Sequence, residues 1–122
     1  MGHAQLVSIV DDDDSVRAAL QGLMEEAGLD ARAFPCAEDF LNSGLLSQTG
    51  CLIADIRMPG MSGLELQKTL NARDCRIPTI FITAHGDAET RLQAKKAGAV
   101  ELLAKPFNDE ALLDLVRAAL EV

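Results

Sequence analysis

The sequence predicts an α/β fold: a doubly wound, five-stranded parallel sheet of order 2-1-3-4-5 with helices on both faces. Three observations carry this. Five short, apolar, branch-rich runs alternate with five segments of helical period. The connections between runs are long enough for crossovers and too long for hairpins, so neighbouring strands run parallel and the helices cover the sheet. The charges within the runs then sort them into central and edge strands. At 122 residues, 48% hydrophobic and 25% charged, the chain is expected to be one globular domain spanning 1–122.

The first run, Leu6–Val10, is almost continuously apolar, as suits a strand covered on both faces. It leads into a helix whose Val16, Ala19, Leu20, Leu23, Met24 and Ala27 recur at three- and four-residue steps, with Gly28 placed to end it. The second run, Leu29–Phe34, carries Asp30 and Arg32 at alternate positions, the half-exposed pattern of an edge. Ala37, Phe40, Leu41, Gly44 and Leu45 give the next helical stripe. Cys51–Ala54 and Thr79–Ile82 read as central strands, separated by a helix over roughly Leu64–Asn71. The fourth helix, Asp87–Ala97, starts at Gly86-Asp87 and stops at Gly98, and its apolar stripe is thin: Ala88, Leu92, Ala94 and Ala97. Val100–Leu103 carries Glu101 and forms the other edge, followed by a helix with Leu112, Leu115, Val116, Ala119 and Leu120 on one face. Order 2-1-3-4-5, the flavodoxin-like arrangement, satisfies all of this. Neither an internal repeat nor a linker interrupts the pattern.

In such a sheet, ligands bind beyond the carboxyl ends of the strands, where strand order reverses between strands one and three. The polar residues that end each run are therefore the candidates. Asp11, Asp12, Asp13 and Asp14 follow the first strand, Asp55 the third, Thr83 the fourth and Lys105 the fifth. The second ends in Phe34-Pro35-Cys36 and offers nothing ionic. Asp13 and Asp14 suit the first turn of a helix, with Asp14 or Ser15 expected as its cap. Asp11, Asp12 and Asp55 would place three negative charges in one crevice, which demands a cation. Lys105 supplies one positive charge and a divalent ion the other two. Carboxylates with a backbone carbonyl and waters are the oxygen set that magnesium takes, leaving a position for phosphate. A carboxylate beside magnesium, a lysine and a hydroxyl is equipped for phosphoryl transfer onto the carboxylate.

The remaining composition removes other classes. A net charge of −8 repels phosphate backbones and anionic lipid, so neither nucleic acid nor membrane is an expected partner. No apolar run approaches the roughly 20 residues of a membrane span, and the start lacks the basic-then-apolar pattern of a secretory signal. Cys36, Cys51 and Cys75 are too few and too widely spaced for a disulfide framework or a zinc site. They read as small buried hydrophobes in a reducing, cytoplasmic setting. A flavin site would need a Ser/Thr/Gly-rich loop and stacking aromatics where the chain has four aspartates and 3% aromatic residues. A small-substrate phosphatase would need a second acid two residues past Asp55, where Arg57 stands.

Ser8-Ile9-Val10-Asp11-Asp12-Asp13, Ile53-Ala54-Asp55-Ile56-Arg57-Met58-Pro59-Gly60-Met61-Ser62-Gly63, Ile82-Thr83-Ala84-His85 and Lys105-Pro106-Phe107 together resemble the receiver domain of bacterial response regulators. The likeness covers essentially the whole chain and is closest to the FixJ type, whose longer members carry a C-terminal helix-turn-helix domain and regulate transcription. It leaves open that such an output domain is missing from this chain.

The resemblance implies a phosphorylation-operated switch and not an enzyme, assisting only its own phosphorylation and dephosphorylation. Asp55 would be the phosphoacceptor, served by a sensor histidine kinase. Asp11, Asp12, Asp55 and the backbone carbonyl of Arg57 would hold Mg2+, and Thr83 and Lys105 would engage the phosphoryl group. Arg57 and His85 would modulate its lifetime, and Lys105-Pro106 would be cis. Phosphorylation would shift the face formed by the fourth helix, fifth strand and fifth helix, controlling homodimerisation or a transcriptional output. One departure stands at Leu102, a switch position where the family usually has an aromatic residue. It keeps alive an alternative, a phosphorylation-independent receiver acting as a protein-interaction module.

Overall fold

A computed structural model describes residues 5–84 and 86–120. The elements follow in the order β1 (Leu6–Val10), α1 (Asp14–Glu26), β2 (Ala31–Phe34), α2 (Ala37–Leu41), a 3-10 turn (Leu46–Gln48), β3 (Thr49–Asp55), α3 (Gly63–Ala72), β4 (Thr79–Thr83), α4 (Ala88–Lys96), β5 (Glu101–Ala104) and α5 (Asp109–Leu120). The strands form one sheet of order β2-β1-β3-β4-β5, and every pairing is parallel. The expected architecture is therefore present, with β2 and β5 at the edges.

Because side chains alternate across a strand, each central strand feeds two cores. Val7, Ile9, Cys51, Ile53, Ile80 and Ile82 point to one face, where Leu20 and Met24 of α1 and Leu112, Val116 and Leu120 of α5 close over them. Leu52, Ala54, Phe81 and Leu102 point to the other, under Phe40 of α2 and Leu66 and Leu70 of α3. All seven residues of β3 are buried. At its start, Thr49 donates its hydroxyl to Leu45 O (2.8 Å), which leaves Ser8 to donate to Thr49 Oγ1 (2.8 Å). Both buried hydroxyls are thus satisfied.

Local differences from the sequence pattern have local causes. Asp13, rather than Asp14 or Ser15, caps α1: its Oδ1 accepts from the amides of Ser15 (2.8 Å) and Val16 (3.2 Å). The second helix ends at Leu41, because Asn42 caps it and Gly44 turns the chain at φ +78°. β2 and β5 each begin later than their apolar runs, at Ala31 and Glu101, and β3 extends to Thr49 and Asp55. Of the three cysteines only Cys51 is fully buried, its thiol pushed up to about 12 by that burial, while Cys36 and Cys75 are half-buried. α4 is held more thinly than its stripe suggests, since Ala94 is its one buried residue and Leu92 is 52% exposed. Phe107 packs against the α1/α5 side of the sheet.

α3 begins with a reciprocal cap. Ser62 Oγ accepts from the Glu65 amide (3.1 Å), and Glu65 Oε1 accepts from the Ser62 amide (2.9 Å). The Ser62 amide, followed by the Ser62 hydroxyl, holds the Glu65 carboxyl below its usual value. Ser62→Ala is expected to cost about 1 kcal/mol, seen as a lower thermal midpoint. A group whose value is lowered by folding stabilises above its ordinary titration range and ceases to do so as pH falls through the lowered value. The gap between Glu65→Ala and the parent should therefore narrow in acid; a gap unchanged down to pH 2 would contradict the reciprocal cap.

Candidate functional site

The carboxyl ends of β1 and β3 converge as the strand order requires. Asp11 is fully buried and Asp55 is 8% exposed, while Asp12 faces solvent. One carboxylate oxygen from each of the three lies within 4.8 Å of the others. The loop after β5 brings Lys105 to them: its Nζ donates to Asp55 Oδ2 at 3.2 Å and lies 3.6 Å from Asp11 Oδ2. Four of the candidate residues are thus assembled from strands distant in sequence, and the Lys105-Pro106 peptide is cis as expected.

The other carboxylate oxygens are fixed by the backbone. Asp11 Oδ1 accepts from the Asp13 amide (2.9 Å) and Asp55 Oδ1 from the Arg57 amide (3.0 Å). Each acid therefore keeps one oxygen anchored in its own loop and turns the other toward the crevice. Asp11 Oδ2 is buried and has no hydrogen-bond donor. Burial pushes the Asp11 carboxyl above its ordinary value and the charges of Asp55 and Asp12 add to this, against the Asp13 amide and Lys105. Burial also presses down on the Lys105 ammonium, but Asp11 and Asp55 outweigh it and hold that group above the usual lysine value. The crevice is left with more negative charge than its one cation answers. A buried oxygen without a donor, beside two further carboxylates, suits a hard divalent cation.

Thr83 is fully buried at the end of β4, and its carbonyl accepts from the Lys105 amide (2.8 Å), which joins the two strand ends. Arg57 is exposed and reaches the site through its amide. Leu102 is 4% exposed, inside the core beneath α4 and not in the crevice. His85 lies outside the described residues.

Two contributors carry no signal of chemistry in the sequence. Arg17, one turn into α1, donates to the Asp11 carbonyl (2.7 Å) and pairs with Asp14, bracing the acidic loop. Gly63 packs directly on the Asp55–Ile56 backbone, and its amide donates to Ile56 O (2.9 Å). Its place at the end of Met-Ser-Gly, as the first residue of α3, is the only sequence hint of that contact.

The fold and the crevice together define a doubly wound domain with three clustered carboxylates opposed, among the described residues, by one lysine. Residues 7–117 match the model of the response regulator receiver domain, and the chain belongs to that family. It is 44% identical over 119 residues to the transcriptional regulatory protein TdiR of Thauera aromatica, covering 98% of this chain and 52% of TdiR. It is 46% identical over 114 residues to the transcriptional regulatory protein FixJ of Azorhizobium caulinodans, covering 93% of this chain and 54% of FixJ. Among solved structures, that of the response regulator StyR superposes with a TM-score of 0.87 at 49% identity, covering 97% of this chain and 60% of that one. The chain spans about half the length of the curated relatives it matches. Receiver domains of this family accept phosphoryl groups from sensor kinases and bind Mg2+ at an acidic pocket. The domain is thus of the receiver class found in two-component signalling. Among the described residues, no helix is long and apolar enough to cross a membrane.

Proposed function

We propose that this domain is a phosphorylation-operated switch in which Asp55 is the acceptor. The observation that carries the reading is the pairing of Asp55 Oδ2 with Lys105 Nζ at 3.2 Å, beside the unsatisfied Asp11 Oδ2. Asp11, Asp12 and Asp55, with the Arg57 carbonyl, would hold magnesium, whose chemistry is to neutralise charge on the phosphoryl oxygens. The Arg57 amide holds one Asp55 oxygen and so aims the carboxylate. Asp55 attacks the phosphorus of a sensor kinase's phosphohistidine, the phosphorus–nitrogen bond breaks, and the electron pair leaves with the imidazole. Lys105 then pairs with the transferred group, and Thr83, joined to Lys105 through its carbonyl, offers its hydroxyl to it.

That anion draws the ends of β4 and β5 together and shifts the surface of α4, β5 and α5, which controls dimerisation or the output of a transcriptional regulator. Arg57 and His85 tune the lifetime of the phosphoryl group, and residues 1–122, with a net charge of −8, are not themselves a DNA-binding surface. The half-buried cation of the site and the shallow seat of α4 both support this reading.

Intact mass after incubation with acetyl phosphate tests it. The expected result is a gain of one phosphoryl group that requires magnesium and is absent from Asp55→Asn. No gain in the folded parent protein with magnesium present would overturn the reading in favour of a phosphorylation-independent interaction module.

A further inference from the structure

The segment between Thr83 and α4 is held from its far side by a side chain that takes no part in the crevice. Arg91, one turn into α4, donates from Nε to Gly86 O (3.2 Å) and from Nη1 to Leu102 O (3.3 Å). Gly86 sits in the notch so formed: a Cβ built on it would lie 3.3 Å from Ala104 Cβ, 3.4 Å from Arg91 Nη2 and 3.6 Å from Leu102 Cδ2. Gly86 thus rests on β5 with the guanidinium over it.

The two acceptors are placed symmetrically about the site. Gly86 follows Thr83 by three residues and Leu102 precedes Lys105 by three, while Thr83 and Lys105 are themselves joined by a backbone hydrogen bond of 2.8 Å. Arg91 therefore clamps the same two chain segments that carry the crevice's hydroxyl and cation. A planar guanidinium spanning two carbonyls tolerates little change in their separation. Beside the clamp lies a cavity of about 320 Å³ bordered by Arg91, Ala94, Lys95 and Leu102.

We propose that Arg91 is a positioning residue that holds the β4–α4 loop on β5 and favours the arrangement without an anion at Asp55 over the arrangement with one. The coupling to Asp55 rests on the phosphoacceptor reading; the clamp itself does not. When Lys105 turns from the Asp55 carboxylate to an added anion, it draws on Thr83, and Gly86 and Leu102 shift relative to each other. The two bonds from Arg91 are then lengthened, and this differential contact biases the equilibrium. In this chain the guanidinium and its backbone acceptors link the crevice to α4 where Leu102 brings no aromatic ring.

The test uses the full chain, Arg91→Ala and Arg91→Lys, with beryllofluoride and magnesium as the probe. In the absence of the probe, hydrogen exchange of residues 86–104 is expected to rise about fivefold in both variants while β1 and β3 keep the parent's rates. Fluorine NMR titration is expected to show beryllofluoride binding about fivefold tighter in both. Losing a positive charge would by itself weaken anion binding, so tightening is opposite in sign to a plain charge effect, and Arg91→Lys keeps the charge while losing the fork. Exchange unchanged in residues 86–104 would overturn the clamp. Looser exchange with unchanged or weaker binding would overturn the coupling. No binding by the parent either would overturn the phosphoacceptor reading and the coupling with it, an outcome told apart because the exchange measurement needs no anion.

Discussion

Gly63→Ala is expected to lower the thermal midpoint by about 10 °C, corresponding to about 3 kcal/mol of overpacking in a domain of this size. A Cβ at this position would stand 2.4 Å from the Asp55 carbonyl oxygen, 3.0 Å from Ile56 Cα and 3.1 Å from the Asp55 carbonyl carbon. All three are backbone atoms of a fully buried strand end, so no rotamer change relieves the clash. Either α3 backs away, breaking the Gly63 amide bond to Ile56 O, or Asp55 is displaced from the crevice. The second response would slow phosphoryl uptake in whatever fraction stays folded. Gly22→Ala is the control: mid-α1, with nothing within 4 Å of the added methyl, it should raise stability by about 1 kcal/mol. Parallel melts of the two variants check both signs, and a Gly63→Ala midpoint equal to the parent's would show that the close approach is absent.

Lys105→Met is expected to reduce the rate of phosphoryl uptake from acetyl phosphate about 100-fold, the usual loss when a charged donor is taken from a developing anion. The methionine keeps the stem's packing and removes only the cation that lies 3.2 Å from Asp55 and 3.6 Å from Asp11. Time-resolved intact mass gives the rate, and a change of less than threefold would remove Lys105 from the machinery.

The same variant has a pH signature. The parent's Lys105 is held above the ordinary lysine value, so its stabilisation is complete below that value and disappears as pH rises through the raised one. An alkaline fall in stability should therefore be present in the parent and weaker in the variant. Asp11 runs in the opposite sense. Its raised carboxyl value means that folding disfavours its charge, so the domain gains stability as pH falls from that value toward the ordinary one. Without Lys105 that gain should grow. Thermal midpoints across pH measure both limbs.

The strand order was legible because edges and centres differ in exposure. Arg32 sits outward in β2 and Glu101 outward in β5, while β3 had no charge before Asp55 and proved buried throughout. The crevice was legible for a related reason: an ionic residue ending an apolar run can only lie at the sheet's rim, and parallel strands bring all such rims to one end. Asp11, Asp12, Asp55 and Lys105 needed no further information to be gathered. Competition between equivalent neighbours was not legible. Four successive aspartates can each cap a helix, and only the backbone angles chose Asp13. The helical stripe running on to Leu45 gave no warning that Asn42 and Gly44 would end α2 early, since a period records which face is apolar and not where the backbone turns. Contacts such as Gly63 on Asp55, or Arg91 on Gly86 and Leu102, depend on distances between elements that no local pattern encodes.

Of the nine residues of α4, one is buried, and that one is an alanine. Away from Ala94 and Arg91, the helix is therefore almost exempt from the packing constraints that fix the rest of the sheet's cover, and exposed substitutions there should each change stability by no more than about 0.5 kcal/mol. The element that costs the fold least to rewrite is also the one that next follows Thr83 in the chain, so its exposed surface can change while the acidic crevice and the two cores stay as they are.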